Sequence, residues 1–182
     1  MAAEEDVIEL KWEGKVIAKL NKATPQEVWL LLEDFCSFHK WLPTIDTCYK
    51  VVDDDDEGLV RYCAATTPAP SGGGGGGVVK WCHEKLLDVD PVGMRLSYEV
   101  LDNNMGLKSY RSTIKVVPAG VINGGDEGTD GCQIEWSFLA DPIDGLSYDE
   151  MVNYLDVSLQ GMALNMEKAL LDSSLMEKKY SS

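Results

Sequence analysis

The stretch 147–170, SYDEMVNYLDVSLQGMALNMEKAL, opens on Ser147 and carries Glu150 three residues later. A hydroxyl at the N-cap and a carboxylate at the third helical position satisfy each other's free backbone N–H groups, so the segment reads as a helix start. Met151, Leu155, Leu159, Met162, Met166 and Leu170 then recur at helical steps, which predicts one long amphipathic helix. An apolar stripe of that length needs an equally long apolar surface to cover it. The chain upstream supplies one. Segments near 47–52, 58–67, 78–88, 94–102, 108–118 and 131–140 are β-rich and separated by turn residues, the pattern of hairpins in series. Within them Met94, Leu96, Tyr98 and Val100 share a parity, as do Tyr110, Ile114 and Val116, and Cys132, Ile134, Trp136 and Phe138; those sets are expected to face inward.

Further out lies the N-terminal strand. From Ile8 to Leu20 every even position is apolar or Gly, while the odd ones are charged except Ile17. Thr24-Pro25-Gln26-Glu27 follows with a second capping box and a Pro at the first helical position, so a short helix begins there. Val28, Leu31, Leu32 and Phe35 keep its spacing, and the apolar stretch continues irregularly to Pro43. The expected fold class is α+β: a curved antiparallel sheet around a long C-terminal helix, with residues 1–182 as one domain. A strongly curved sheet need not fill its concave side, which leaves an internal cavity of the kind ligands use.

Composition narrows the partners. A formal charge of −15 repels phosphate backbones and anionic headgroups, and no basic patch offsets it, so nucleic acid is not an expected partner. The acids cluster at Asp53–Glu57 and between Asp126 and Asp130, in what read as solvated loops. There is no apolar run of about 18 residues and no basic-then-apolar N-terminus, so neither a membrane span nor a signal peptide is expected, and the location expected is cytoplasmic. Cys36, Cys48, Cys63, Cys82 and Cys132 show no CxxC spacing and sit in apolar runs; they read as reduced core residues. Residues 72–77 are six consecutive glycines beside Pro68 and Pro70, read as a flexible Pro/Gly loop over 68–77. A phosphate cradle would require the Lys-Ser/Thr and helix start of a P-loop, which do not follow it.

No cofactor or metal is expected, since His39 and His83 lack a His or Cys partner on a shared face and Cys82-His83 point to opposite faces of a strand. Arg61 shares the parity of Leu59, Cys63 and Ala65, and Glu84 that of Val78, Cys82 and Leu86. Each is a charge among apolar neighbours, costly unless paired, and the two read as a structural ion pair, as functional groups, or as outward-facing charges, the last favoured by a further charge on the parity of Glu84. Lys80 shares the parity of Glu84. Tyr98 and Tyr110 could aim hydroxyls at a bound polar group, and Trp136 with Leu155, Leu159 and Met162 could form an apolar wall for a ligand, or all could be core.

In order along the chain, Trp12 to Val16, Trp29 to Leu32 with Asp34-Phe35, His39-Lys40, Pro43, Cys48, Val60-Arg61-Tyr62, Glu84-Lys85-Leu86, Ser97-Tyr98, Gly106, Tyr110 and Trp136-Ser137-Phe138 resemble the plant START-like proteins. These are the polyketide cyclase/dehydrase and lipid-transport, Bet v 1-type superfamily, and the lachrymatory factor synthases are the members the strings resemble most. The resemblance implies the helix-grip fold and a small, partly apolar ligand. It also implies a reaction, rearrangement of a sulfenic acid to a thial S-oxide, with Arg61 holding the substrate oxygen, Glu84 shuttling the proton, and Tyr98 and Tyr110 orienting the polar head. The hexaglycine run and residues 101–107 depart from the synthase pattern and imply a different entrance. Abscisic-acid receptors of the same superfamily resemble Val28 to Cys48, but Asp46 stands where their carboxylate-holding Lys would fall, and their gate and latch sequences do not occur as such. The alternatives are a non-catalytic lipid or metabolite carrier, or a pathogenesis-related or interaction protein with an incidental cavity.

Overall fold

Thr24 caps α1 (Pro25–Leu32) as its sequence dictates, accepting from the Glu27 N–H while the Glu27 carboxylate takes the Thr24 N–H at 2.8 Å. Ser147 and Glu150 repeat the exchange at the start of α2 (Tyr148–Tyr180), with the carboxylate 2.8 Å from the Ser147 backbone nitrogen. These are observed in a computed structural model that describes residues 11–51, 58–68, 77–120 and 131–180, with side chains to residue 174. Ile8 to Leu10, the two acidic runs and Gly72 to Gly76 fall outside the described residues.

The strands are β1 (Trp12–Leu20), β2 (Thr47–Lys50), β3 (Val60–Thr67), β4 (Val78–Asp90), β5 (Arg95–Asn103), β6 (Arg111–Pro118) and β7 (Cys132–Ala140). They form one sheet in the order β1-β7-β6-β5-β4-β3-β2, every neighbour antiparallel. β2 to β7 are therefore hairpins in series, and β1 returns to pair with β7. The irregular apolar stretch after α1 forms a 3-10 helix, Phe35–Lys40, kinked at Ser37, which seats Phe35 and Phe38 in the core.

The expected parities set the inner face: Val16, Ala18 and Leu20 of β1, Leu96 and Tyr98 of β5, Ile114 and Val116 of β6, and Ile134, Trp136 and Phe138 of β7 are all buried. Met94 and Val100 are only partly so. α2 lies across β1 and β7 with Met151, Leu155, Leu159, Met162 and Met166 buried beneath it. Polar ties along the helix edge fix its position: Gln160 donates to the Ile17 carbonyl at 2.9 Å, and Glu167 accepts from the Asn21 and Lys22 N–H groups at 2.7 and 2.9 Å. The architecture is the curved antiparallel sheet with a long C-terminal helix that the sequence predicts. Among the described residues no helix is long and apolar enough to cross a membrane.

Gly161 lets α2 approach the segment after the 3-10 helix. A Cβ there would stand 2.5 Å from Pro43 Cγ, inside the closest contact real Cβ atoms make, and 3.1 Å from Pro43 Cδ. Nearby, Asn165 donates to the Trp41 carbonyl at 2.9 Å and locks the same approach. Gly161→Val is expected to lower stability by about 1–3 kcal/mol in chemical denaturation, the usual range for overpacking. An unchanged midpoint would show that the Pro43 loop gives way freely.

The cap carboxylates also set an acid limit. Glu27 and Glu150 are held below their ordinary value of 4.5, mainly by the backbone N–H groups they accept from. Asp46 is held below 3.8 by the Thr47 hydroxyl and the Thr66 N–H. Groups depressed in the folded state stabilise it above their ordinary pKa and lose that contribution as pH falls through the folded value. Thermal midpoints should therefore hold steady from neutral pH and fall below pH 4.5, with a shallower fall in Glu27→Gln/Glu150→Gln.

Candidate functional site

Arg61 on β3 and Glu84 on β4 stand directly opposite each other in register, and both side chains enter the concave side of the sheet. A register shift between His83 and Glu84 marks a bulge there, a device that re-aims a side chain at a strand position. Arg61 is buried, and its Nε and one terminal nitrogen donate to Glu84 Oε2 at 2.7 and 2.6 Å. The other terminal nitrogen donates to the Phe35 carbonyl. The guanidinium carbon lies 3.7 Å from the Phe35 ring centroid, 4.1 Å from that of Phe38 and 5.1 Å from that of Tyr98. Burial alone would weaken the cation, but Glu84 together with Cys63, Tyr98 and Cys48 more than offsets it, and Arg61 stays charged.

Glu84 is the less enclosed partner, its side chain 11 % exposed. Among the described residues its hydrogen bonds all fall on Oε2, which leaves Oε1 for a ligand. Both residues line a cavity of about 420 Å³ whose other walls come from β3, β4, β5 and β7, the segments around Ile45, Leu107 and Ile143, and the first turns of α2. Tyr98, Tyr110, Trp136 and Leu155 line it as well. Burial pushes the Tyr98 and Tyr110 hydroxyls well above their ordinary value, so they are neutral phenols able to donate. Ser112 organises this end: Trp136 Nε1 donates to its hydroxyl, which donates to the Ser137 carbonyl at 2.7 Å, with the Tyr110 hydroxyl 3.5 Å away.

A curved antiparallel sheet gripping a long helix around an acid–arginine pair in an otherwise largely apolar cavity is a recognisable plan, and the family signature described as polyketide cyclase / dehydrase and lipid transport matches residues 18–170. The chain belongs to that family. Solved structures agree on the fold. The protein XoxI from Bacillus cereus superposes with a TM-score of 0.62 at 20% identity, over 89% of this chain and 97% of that one. A putative uncharacterized protein from Bacillus thuringiensis gives 0.60 at 19% identity, over 87% and 98%. These bacterial structures carry the fold alone, and neither they nor the family signature carries the narrower likeness to plant synthases.

Two expected ligand residues are absent from the walls of the cavity. Leu159 and Met162 are fully enclosed in the core, because α2 settles onto β1 and β7 beyond its first turns and closes the space there. Tyr154 and Ser158, on the turns nearer the helix start, line the cavity with Leu155. Lys80, which shares the parity of Glu84, reaches the cavity while remaining exposed. Asp46 is exposed and bonds to Thr66 N–H at 2.7 Å, not to the cavity. Cys82 lines the cavity, whereas His83 packs against Tyr62 and Trp81 on the other face, 5.3 and 5.4 Å between ring centroids. Ser112 carries a signal in the sequence, its parity with Tyr110 and Ile114; the Phe35 carbonyl carries none, since no side-chain pattern marks a backbone acceptor.

Proposed function

We propose that this member of the polyketide cyclase/dehydrase and lipid-transport family binds a small, partly apolar molecule in the cavity and isomerises it by proton transfer through Glu84. The observation that carries the reading is the division of labour in the carboxylate: Oε2 is engaged by Arg61 and Oε1 is left for a ligand. A carboxylate so held has a fixed orientation and a counter-charge, which suits a general acid/base.

The substrate proposed is an alkenyl sulfenic acid, as in the lachrymatory factor synthases. Glu84 takes the S–O–H proton, the carbon–carbon double bond moves to carbon–sulfur, and the alkene carbon farther from sulfur receives a proton from Glu84. No atom is gained or lost. Arg61 stabilises the charge as it shifts through the sulfur–oxygen unit, and the phenols of Tyr98 and Tyr110 hold the polar head while Trp136 and Leu155 cover the chain.

Carriage is favoured by a different observation. The Arg61 donors are already engaged by Glu84 and Phe35, and aromatic rings shield the cation, so the pair also fits a structural role with a lipid or metabolite simply stored beside it. A coupled assay separates the two. Purified protein is supplied with a cysteine-sulfoxide lyase and an S-alkenyl cysteine sulfoxide, and volatile thial S-oxide is measured by gas chromatography. Product above the lyase-only control supports the isomerase. No product from folded protein sinks it for this substrate and leaves carriage, to be pursued by ligand screening.

A further inference from the structure

Three cysteines that the acid–base reading does not use lie side by side on the inner face of β2, β3 and β4. Cys48 is the register partner of Cys63, and Cys63 of Cys82. All three are buried free thiols. Only the first pair makes a sulfur–sulfur contact among the described residues: Cys63 Sγ donates to Cys48 Sγ at 3.4 Å. Directly opposed residues in an antiparallel pair have Cα atoms about 4.5 or 5.5 Å apart, both inside the span a disulfide tolerates.

We propose that Cys48 and Cys63 are a reversible thiol–disulfide site that a hydroperoxide oxidises. The Cys48 sulfur attacks the O–O bond of the hydroperoxide and takes one oxygen as a sulfenic acid, and the other oxygen leaves as an alcohol or as water after gaining a proton. The Cys63 sulfur then attacks the Cys48 sulfur. The S–S bond forms as the S–O bond breaks, and hydroxide departs with the Cys63 proton as water. Two thiols and one hydroperoxide thus give a disulfide, an alcohol and water.

The surroundings favour Cys48 as the attacking sulfur. Its thiol is drawn below the ordinary value by the Cys63 S–H it accepts, and further by Arg61 and His39, against the opposing effect of burial. Cys63 is pushed the other way by the same contact and by burial, so it holds the proton that must leave as water. His39 Nδ1 is itself buried without a hydrogen-bond partner among the described residues. Access is local. β2 is a four-residue strand at the sheet edge, the kind of element that opens without global unfolding, while Cys63 lines the cavity from within.

The bond would act on the anion–cation pair beside it. Cys63 Sγ lies 3.8 Å from Glu84 Oε2, and Cys48 Sγ is 4.0 Å from the Phe35 carbonyl that also holds Arg61. Oxidation removes both thiol hydrogens from this cluster and ties the edge strand to β3.

The test treats folded, fully reduced protein with hydrogen peroxide or tert-butyl hydroperoxide, quenches with a thiol-blocking reagent, and maps peptides without reduction. The expected result is a Cys48–Cys63 linkage within one chain, loss of two of the five thiols, and full recovery with dithiothreitol. Cys82→Ser should keep the linkage and Cys63→Ser should abolish it. Retention of all five thiols, a bond that instead includes Cys82, a bond between chains, or over-oxidation of Cys48 without linkage would each overturn the proposal. The wild-type map decides the matter even if a variant does not fold.

Discussion

Arg61→Leu will cost about 3–5 kcal/mol of folding free energy, because it leaves the Glu84 carboxylate in the sheet interior without its counter-charge. The Phe35 carbonyl loses its donor in the same step. Replacing both charges by apolar groups of similar size, Arg61→Met with Glu84→Leu, removes the uncompensated charge and should recover part of the loss. It should remain about 1–3 kcal/mol short of the wild type, since the Phe35 carbonyl stays unpaired. Urea unfolding of the wild type, Arg61→Met, Glu84→Leu and the double variant forms a double-mutant cycle that isolates the coupling. A double variant less stable than either single one would show that the pair does more than cancel its own desolvation. The experiment bears on function as well: a loss of activity in Arg61→Leu is interpretable only after its folded fraction is known.

Glu84→Gln tests the chemistry with less damage to the fold. The amide keeps the volume and an oxygen able to accept from Arg61, but it can neither take nor deliver a proton. If Glu84 is the acid/base, turnover in the coupled assay falls by about 10²- to 10⁴-fold, the range for removing such a group. Binding of an unreactive apolar analogue, followed by intrinsic tryptophan fluorescence, should change far less. Turnover within a few-fold of the wild type would eliminate Glu84 as the proton carrier. Equal loss of binding and turnover would assign it to holding the site together.

The legible parts of this protein are those that depend on local period and local capping. Ser147 with Glu150 and Thr24 with Glu27 specify helix starts through contacts three residues apart, and both boxes close as written. Period-2 alternation assigns faces because a strand's side chains alternate strictly, so the burial of Ile134, Trp136 and Phe138, and of Arg61 among apolar neighbours, is a consequence of sequence order. The expected inward Glu84 survives a bulge at its own position, which parity by itself does not anticipate.

Tertiary structure decided what period cannot encode: which inward residues meet. The helical stripe does not distinguish Leu159 and Met162, which settle into the core, from Leu155, which reaches the cavity with Tyr154 and Ser158. That division depends on where α2 closes onto β1 and β7. Arg61 faces Glu84, and Cys48 faces Cys63, only because long-range register brings segments 23 and 15 residues apart into opposition. The Phe35 carbonyl reaches Arg61 through a kinked 3-10 turn with no side-chain signature. Sequence by itself determined the elements and their inner faces and made the two charges conspicuous, since those follow from interactions within a turn or along a strand. The cavity, the free oxygen of Glu84 and the thiol pair exist only once the strands are aligned, because a cross-strand neighbour is fixed by the packing of the whole sheet.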